Sequence, residues 1–221
     1  MYQQSKTMKT KSKTLISATL ALTALGGSNA QEAAVPEKAA PPKSSFFTGE
    51  IPQAFKDGTI SVNTWLRYEN VNQTGLKDAN ALLIRPRLGF TTAPLYGFQG
   101  MVEMENVTAI GTSRDYNAAG TNLPGGAGHA VIADPETTQL NQAWLSYTHW
   151  DTTLKLGRQV IVRDNHRWVG DVPWRMNNQT FDAATLANTT LKDLTVSYGY
   201  VWNVNRIFGD EPGLSDRKSV V

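Results

Sequence analysis

The chain has 221 residues, 40% of them hydrophobic and 18% charged, with no cysteine and a mean hydropathy of −0.34. The missing cysteine excludes disulfide scaffolds, thiolate zinc sites and thiol nucleophiles, and the hydropathy argues against a bundle of membrane helices. The formal charge of +2 misleads: four of 21 cations (Lys6, Lys9, Lys11, Lys13) lie in an acid-free first 30 residues, and the remaining 17 face 19 anions. A net −2 beyond residue 30 removes the support for a nucleic-acid partner.

Those lysines precede an apolar run, Leu15 to Leu25, followed by Gly26-Gly27 and Ser28-Asn29-Ala30. This basic, apolar, small-residue order predicts a secretory signal peptide over residues 1–30, whose apolar part is too short to cross a bilayer as a helix. Residues 31–45, with three prolines and no aromatic side chain, predict an extended Pro/Ala-rich linker. Structure is expected to begin near Phe46 or Ile51.

From Thr59 onward the period is two rather than 3.6. Alternation predicts seven strands: Thr59–Glu69, Ala81–Thr91, Phe98–Val107, Thr138–Trp150, Thr153–Val162, Thr180–Asn188 and Leu194–Val204. On the second, Leu82, Ile84, Leu88 and Phe90 share one face, and Arg85, Arg87 and Gly89 the other. The last is the cleanest, with Val196, Tyr198, Tyr200 and Trp202 on one side and Ser197, Gly199 and Asn203 opposite. Such lengths suit a tilted strand that spans a bilayer.

A secreted sandwich alternates too, so the connections carry more weight. Apart from a modest first gap (70–80), long gaps (108–137, 163–179) alternate with short ones (92–97, 151–152, 189–193), as where tight periplasmic turns oppose long external loops. Tyr68, Phe90, Tyr96, Phe98, Tyr147, Trp150, Tyr198 and Trp202 mostly fall near strand ends, as girdle residues do. The predicted fold is all-β: an antiparallel transmembrane β-barrel, present as an incomplete amino-terminal portion spanning residues 46–215, in the bacterial outer membrane with lipid as its surroundings.

A turn centred on Leu95 would set Arg87 against Glu103 and Arg85 against Glu105, with Leu88 facing Val102 on the lipid side. Arg67 and Glu69 lie on the same inner face. These ion pairs either line a polar lumen or brace the wall. Pro86 lacks a ladder donor, so a bulge is expected there.

The segment Leu156 to Asp182 is densest in chemistry, holding Arg158, Arg163, Arg167 and Arg175 against Asp164, Asp171 and Asp182, with Trp168 and Trp174. Guanidinium forks suit carboxylates and indole faces suit sugar rings, so a loop folded into the barrel mouth would make a constriction for acidic or sugar-like solutes. A self-satisfied Arg/Asp network that only holds the loop is the competing reading. Arg158 points at lipid if the Asp151-Thr152 turn is strict, and a bulge at Gly157 would turn it inward. Lys155 on the same strand completes the candidate lining set.

The run Leu156-Gly157-Arg158-Gln159, then Asp164-Asn165, Arg167, Gly170, Trp174-Arg175 and Gln179-Thr180-Phe181-Asp182, resembles the alginate-export family of outer-membrane porins. Leu66-Arg67-Tyr68-Glu69, Arg85 to Phe90 and Leu140 to Tyr147 are similar to it as well, and the likeness covers roughly residues 58–209. The resemblance implies a large monomeric barrel with an arginine-rich lumen that passes an anionic polysaccharide. It implies a passive pore here, with Arg85, Arg87, Arg158, Arg163 and Arg175 as candidate lining residues. Glu103 and Glu105 depart from that pattern by offsetting the inner arginines.

An enzyme is not expected. His129, His149 and His166 lack metal-ligand spacing, His149 and Ser146 fall on opposite strand faces, and no nucleophile elbow, P-loop or dinucleotide motif occurs. No cofactor is expected. Asp134 and Glu136 fit a weak calcium site less well than an exposed loop rich in Gly and Asn. Three functions stay open: a diffusion porin for small or polymeric polar solutes, a non-conducting structural surface barrel, and a secreted sugar-binding sandwich. The tail Asp216 to Val221 lacks alternation and a terminal aromatic. It coincides with one reading frame of a common sequencing adapter, which predicts that the gene continues past Ser215.

Overall fold

The computed structural model describes residues 16–22, 49–118 and 126–209. The expected linker and the adapter-like tail lie outside the described residues. One antiparallel sheet contains eight strands in chain order: β1 (Ile16–Leu22), β2 (Thr59–Val71), β3 (Ala79–Thr91), β4 (Phe98–Asp115), β5 (Thr137–His149), β6 (Thr152–Gln159), β7 (Thr180–Asn188) and β8 (Val196–Asn205). The chain is thus all-β, and the sheet is open: β1 and β8 are its two edges. The seven expected strands are β2 to β8. β1 is additional, drawn from the apolar run assigned to the signal, and pairs Ile16 to Asn70 through Leu22 to Thr64.

Two connections are two-residue turns with both central residues at positive φ, Tyr96-Gly97 (52° and 86°) and Trp150-Asp151 (44° and 55°). Their twist matches that of the flanking strands, which is why they close hairpins tightly. The first sets the β3–β4 register. Leu95 and Phe98 exchange hydrogen bonds of 2.8 Å, and Ala93 and Pro94 make up one residue more than the facing strand supplies before Thr92 bonds Gly100. Arg87 therefore faces Glu105 and Gly89 faces Glu103, two residues away from the expected pairing. Phe90 meets Val102, and Leu88 meets Met104.

Pro86 sits opposite Thr64 with no bulge beside it. The register shift on β3 lies instead in its pairing with β4, between Ala81 and Leu83, and Pro86 has no paired residue on β4. The register also runs through Gly157 unshifted, Ala143 to Arg158 and Gly157 to Ala183, although Gly157 has φ +121°. A Cβ there would come within 2.3 Å of the Ala143 carbonyl, so close strand approach requires glycine.

The outward face carries Ile60, Val62, Leu88, Val102, Met104, Leu145, Leu154 and Leu156, all exposed. The core lies on the inward face at the end bearing the long loops. There Ala79, Ala81, Leu83, Val107 and Ala109 pack against Tyr116, Ala118, Ala130, Ile132 and Met176. Three small alanines on the wall let the loop backbone come close. Residues 126–132 are tied on by Lys77 N–H to Gly128 (2.9 Å), Ala130 N–H to Lys77 (3.0 Å) and Ile132 N–H to Asn117 (2.9 Å). Burial of Tyr116 in this cluster pushes its phenol pKa up.

A short helix, α1 (Glu50–Lys56), precedes β2 and was not expected as a helix. It lies at the short-turn end of the sheet, where Ala93 N–H donates to the Ala54 carbonyl at 2.9 Å.

Candidate functional site

Alternation in β2 and β3 sets Arg67, Glu69, Arg85 and Arg87 on the inward face, and the β4 register adds Glu103 and Glu105. Two loop segments then descend onto this wall and deliver Asp134 and the stretch Trp174 to Asn178. Asp134, with no exposed surface, holds the centre. Its Oδ1 accepts from Met176 N–H at 2.8 Å, and its Oδ2 meets Arg67 at 3.3 Å and Arg175 at 3.4 Å. Glu69 pairs with Arg67 and lies 3.6 Å from Arg175. Arg67 also donates to the Trp174 carbonyl.

A second group sits beside it. Arg87 Nε donates to Glu105 at 2.7 Å and its Nη2 to Asn178, while Gln139 donates to the other Glu105 oxygen at 2.6 Å. Glu103, opposite Gly89, accepts instead from Asn141 at 2.6 Å and Gln142 at 3.3 Å. Removing both charges from water is costly, so the added amide and backbone bonds are what make these buried pairs tolerable.

Arg85 differs from its neighbours. It is 6% exposed and makes no ion pair among the described residues. Its Nη1 donates to the Met176 carbonyl (2.8 Å), Nη2 to Asn63 (3.0 Å), and the guanidinium lies 4.9 Å from the Trp65 ring centroid. Its Nε has no hydrogen-bond partner among the described residues. The direct contacts of this cation are thus all neutral groups.

The other candidates are scattered. Lys155 lies over the Trp144 ring at 4.3 Å. Arg158 is engaged by Asp182 (2.9 Å) and the Leu140 carbonyl (3.0 Å), and Asp182 also accepts from Asn203 and Asn205. Arg163 and Arg167 stay exposed at the loop tip, Arg167 only 3.8 Å from Asp164. Trp168 and Trp174 are exposed too.

A family model described as alginate export matches residues 59–195, from the first residue of β2 to the residue before β8. The chain belongs to the alginate-export family. No curated protein and no solved structure matches it. The family match spans the whole arginine wall and both loop segments seated on it, so the site belongs to the shared part of the chain.

Asp134 was misjudged from sequence as part of an exposed loop. It is buried because its carboxylate is the shared acceptor for two arginines and a backbone N–H. Neighbouring Glu136 does behave as a partly exposed group, taking Arg114 Nε at 2.6 Å and Ala109 N–H at 3.0 Å. The Arg114 hydrogen bond holds its carboxyl below the usual glutamate range. The signal that could have singled out Asp134 is charge balance: Arg67, Arg85, Arg87 and Arg175 outnumber the inward acids Glu69, Glu103 and Glu105, so a loop acid had to reach the wall.

Proposed function

We propose that this sheet forms part of the wall of an outer-membrane channel through which polar, sugar-like or anionic polymers pass without energy coupling. Family membership supports an outer-membrane β-barrel. No helix of the described residues is long and apolar enough to cross a membrane, so a crossing would be made by strands. The exposed apolar outward face supports lipid contact, since a soluble sandwich would cover one face of this sheet with a second. In this reading the signal is cleaved after Ala30, β1 leaves with it, and the freed edge of β2 pairs with another strand of a larger barrel.

The observation that carries the substrate class is Arg85, a buried guanidinium with no paired carboxylate. A guanidinium that touches no carboxylate, and whose Nε has no partner among the described residues, keeps donor capacity for an anion that reaches the wall. Planar-bilayer reversal potentials of the full-length protein test it. Anion preference should appear, strengthen at low salt where screening is weak, and diminish in Arg85→Gln. Cation selectivity that Arg85→Gln leaves unchanged would refute the reading.

A further inference from the structure

α1 does not sit inside the curve of the sheet but against its outward face. Phe55 stacks on Phe90, an outward residue of β3, with ring centroids 6.0 Å apart and planes 10° apart. Ala93 N–H donates to the Ala54 carbonyl, and the Tyr96 hydroxyl bonds the Glu50 carboxylate. The helix is thereby propped beside the wall, leaving a groove of about 230 Å³ between them. Ile51, Ala54 and Phe55 line one side of it, and Phe98, Gly100 and Leu145 the other.

Water is a poor occupant. The two polar side chains of the lining each have a partner in the wall: Thr92 Oγ1 accepts from Gly100 N–H at 2.9 Å, and Gln99 Nε2 donates to the Thr92 carbonyl at 3.1 Å. An open groove with so apolar a lining gains by holding hydrocarbon in place of water. The groove floor is also continuous with the outward apolar belt, because Phe98 and Leu145 are exposed on the same face as Leu88 and Val102. Phe55 remains 56% exposed on its far side, while Gln53, Lys56 and Asp57 turn to solvent. An aromatic ring beside charged groups at a strand end is the arrangement favoured at a membrane–water boundary.

We propose that this groove holds an acyl chain of a phospholipid from the leaflet at the short-turn end of the barrel, with α1 as its outer clamp. The inference rests on the outer-membrane reading above. Having no native cysteine, the chain takes single labels cleanly. Phe55→Cys, Gln53→Cys and Leu88→Cys forms of the full-length protein, each carrying bimane, are reconstituted in phosphatidylcholine vesicles. Quenching by nitroxide on the lipid chains is compared with quenching by aqueous iodide. The label at 55 should lose most of its fluorescence to lipid nitroxide and little to iodide, and the label at 53 the reverse. Gly100→Ile should then fill the groove and protect the label at 55, since a Cβ at Gly100 meets its nearest atom only at 3.9 Å. A label at 55 that responds to iodide like 53, or to neither quencher because the preceding chain covers it, overturns the clamp. In both cases quenching at 88 shows the barrel reading intact. Loss of lipid quenching at 88 as well would take both down together.

Discussion

β3 and β8 carry the same alternation and turn apolar side chains outward alike, yet Ala81, Leu83 and Arg85 of β3 are buried while every residue of β8 from Val196 to Trp202 is exposed. β2 shows the same contrast along its length, exposed from Thr59 to Val62 and buried at Arg67 and Glu69. The pleat assigns each side chain to a face, but burial on the inward face depends on what the loops bring there. The segments around Asp134 and Met176 reach β2, β3 and β4 and stop short of β8. One flank is therefore a packed, charged site and the other an open wall.

The sharpest way to break this contrast is to cut the central acceptor. Asp134→Ala takes one of two shared carboxylates from buried Arg67 and partly buried Arg175, leaving them Glu69, and breaking a buried pair typically costs up to about 3–5 kcal/mol. Urea unfolding followed by heat-modifiable gel migration should show a loss of that order. Single-channel conductance should rise as the loop lets go of the wall. An unchanged unfolding midpoint would mean that the loop is held by the apolar cluster alone.

The register supplies the next test. Arg87→Glu should damage folding, and adding Glu105→Arg should restore part of it with a coupling of about 0.5–3 kcal/mol, as expected for contacting residues. Glu103→Arg in the same background should restore nothing, because Glu103 faces Gly89. Rescue by Glu103→Arg instead would shift the hairpin by two residues.

A weaker effect is expected at the rim. The Glu136 carboxyl is held low in the folded protein, first by its hydrogen bond from Arg114. A depressed carboxyl stabilises the fold at neutral pH, and that contribution is lost as pH falls through its folded value. The acid limb of a stability–pH profile should flatten in Glu136→Gln, and only modestly, since the Arg114 side chain is 42% exposed. An acid limb identical to that of the parent would assign the pH dependence elsewhere. The smallest effect belongs to the open flank, where Ser197→Ala should change stability by less than about 0.5 kcal/mol, the range of surface substitutions. A larger loss would reveal a cover over β8.

Strand existence and facing were legible because alternation is local: Val196, Tyr198 and Tyr200 occupy one face in any register that keeps them in a strand. The same holds for Arg67 with Glu69 and for Arg85 with Arg87, all of which reach the inward wall. The pairing of Arg87 was not legible. It turns on whether the hairpin closes at Leu95 or at Tyr96-Gly97 and on where one unmatched residue goes, and near-equal local energies separate these choices. Pro86 misled for a related reason, since a missing N–H can be absorbed by an unbonded partner as well as by a bulge. Asp134, α1 and the isolation of Arg163 and Arg167 needed the assembled molecule. A loop acid has no periodicity to betray its place, and a seven-residue helix depends on the surface that receives it. The outward apolar belt and the arginines of the wall were thus set by side-chain order along the chain. Which arginine found a carboxylate, and which was left with a carbonyl, an amide and an indole, was decided only when loops far apart in sequence met the same face of the sheet.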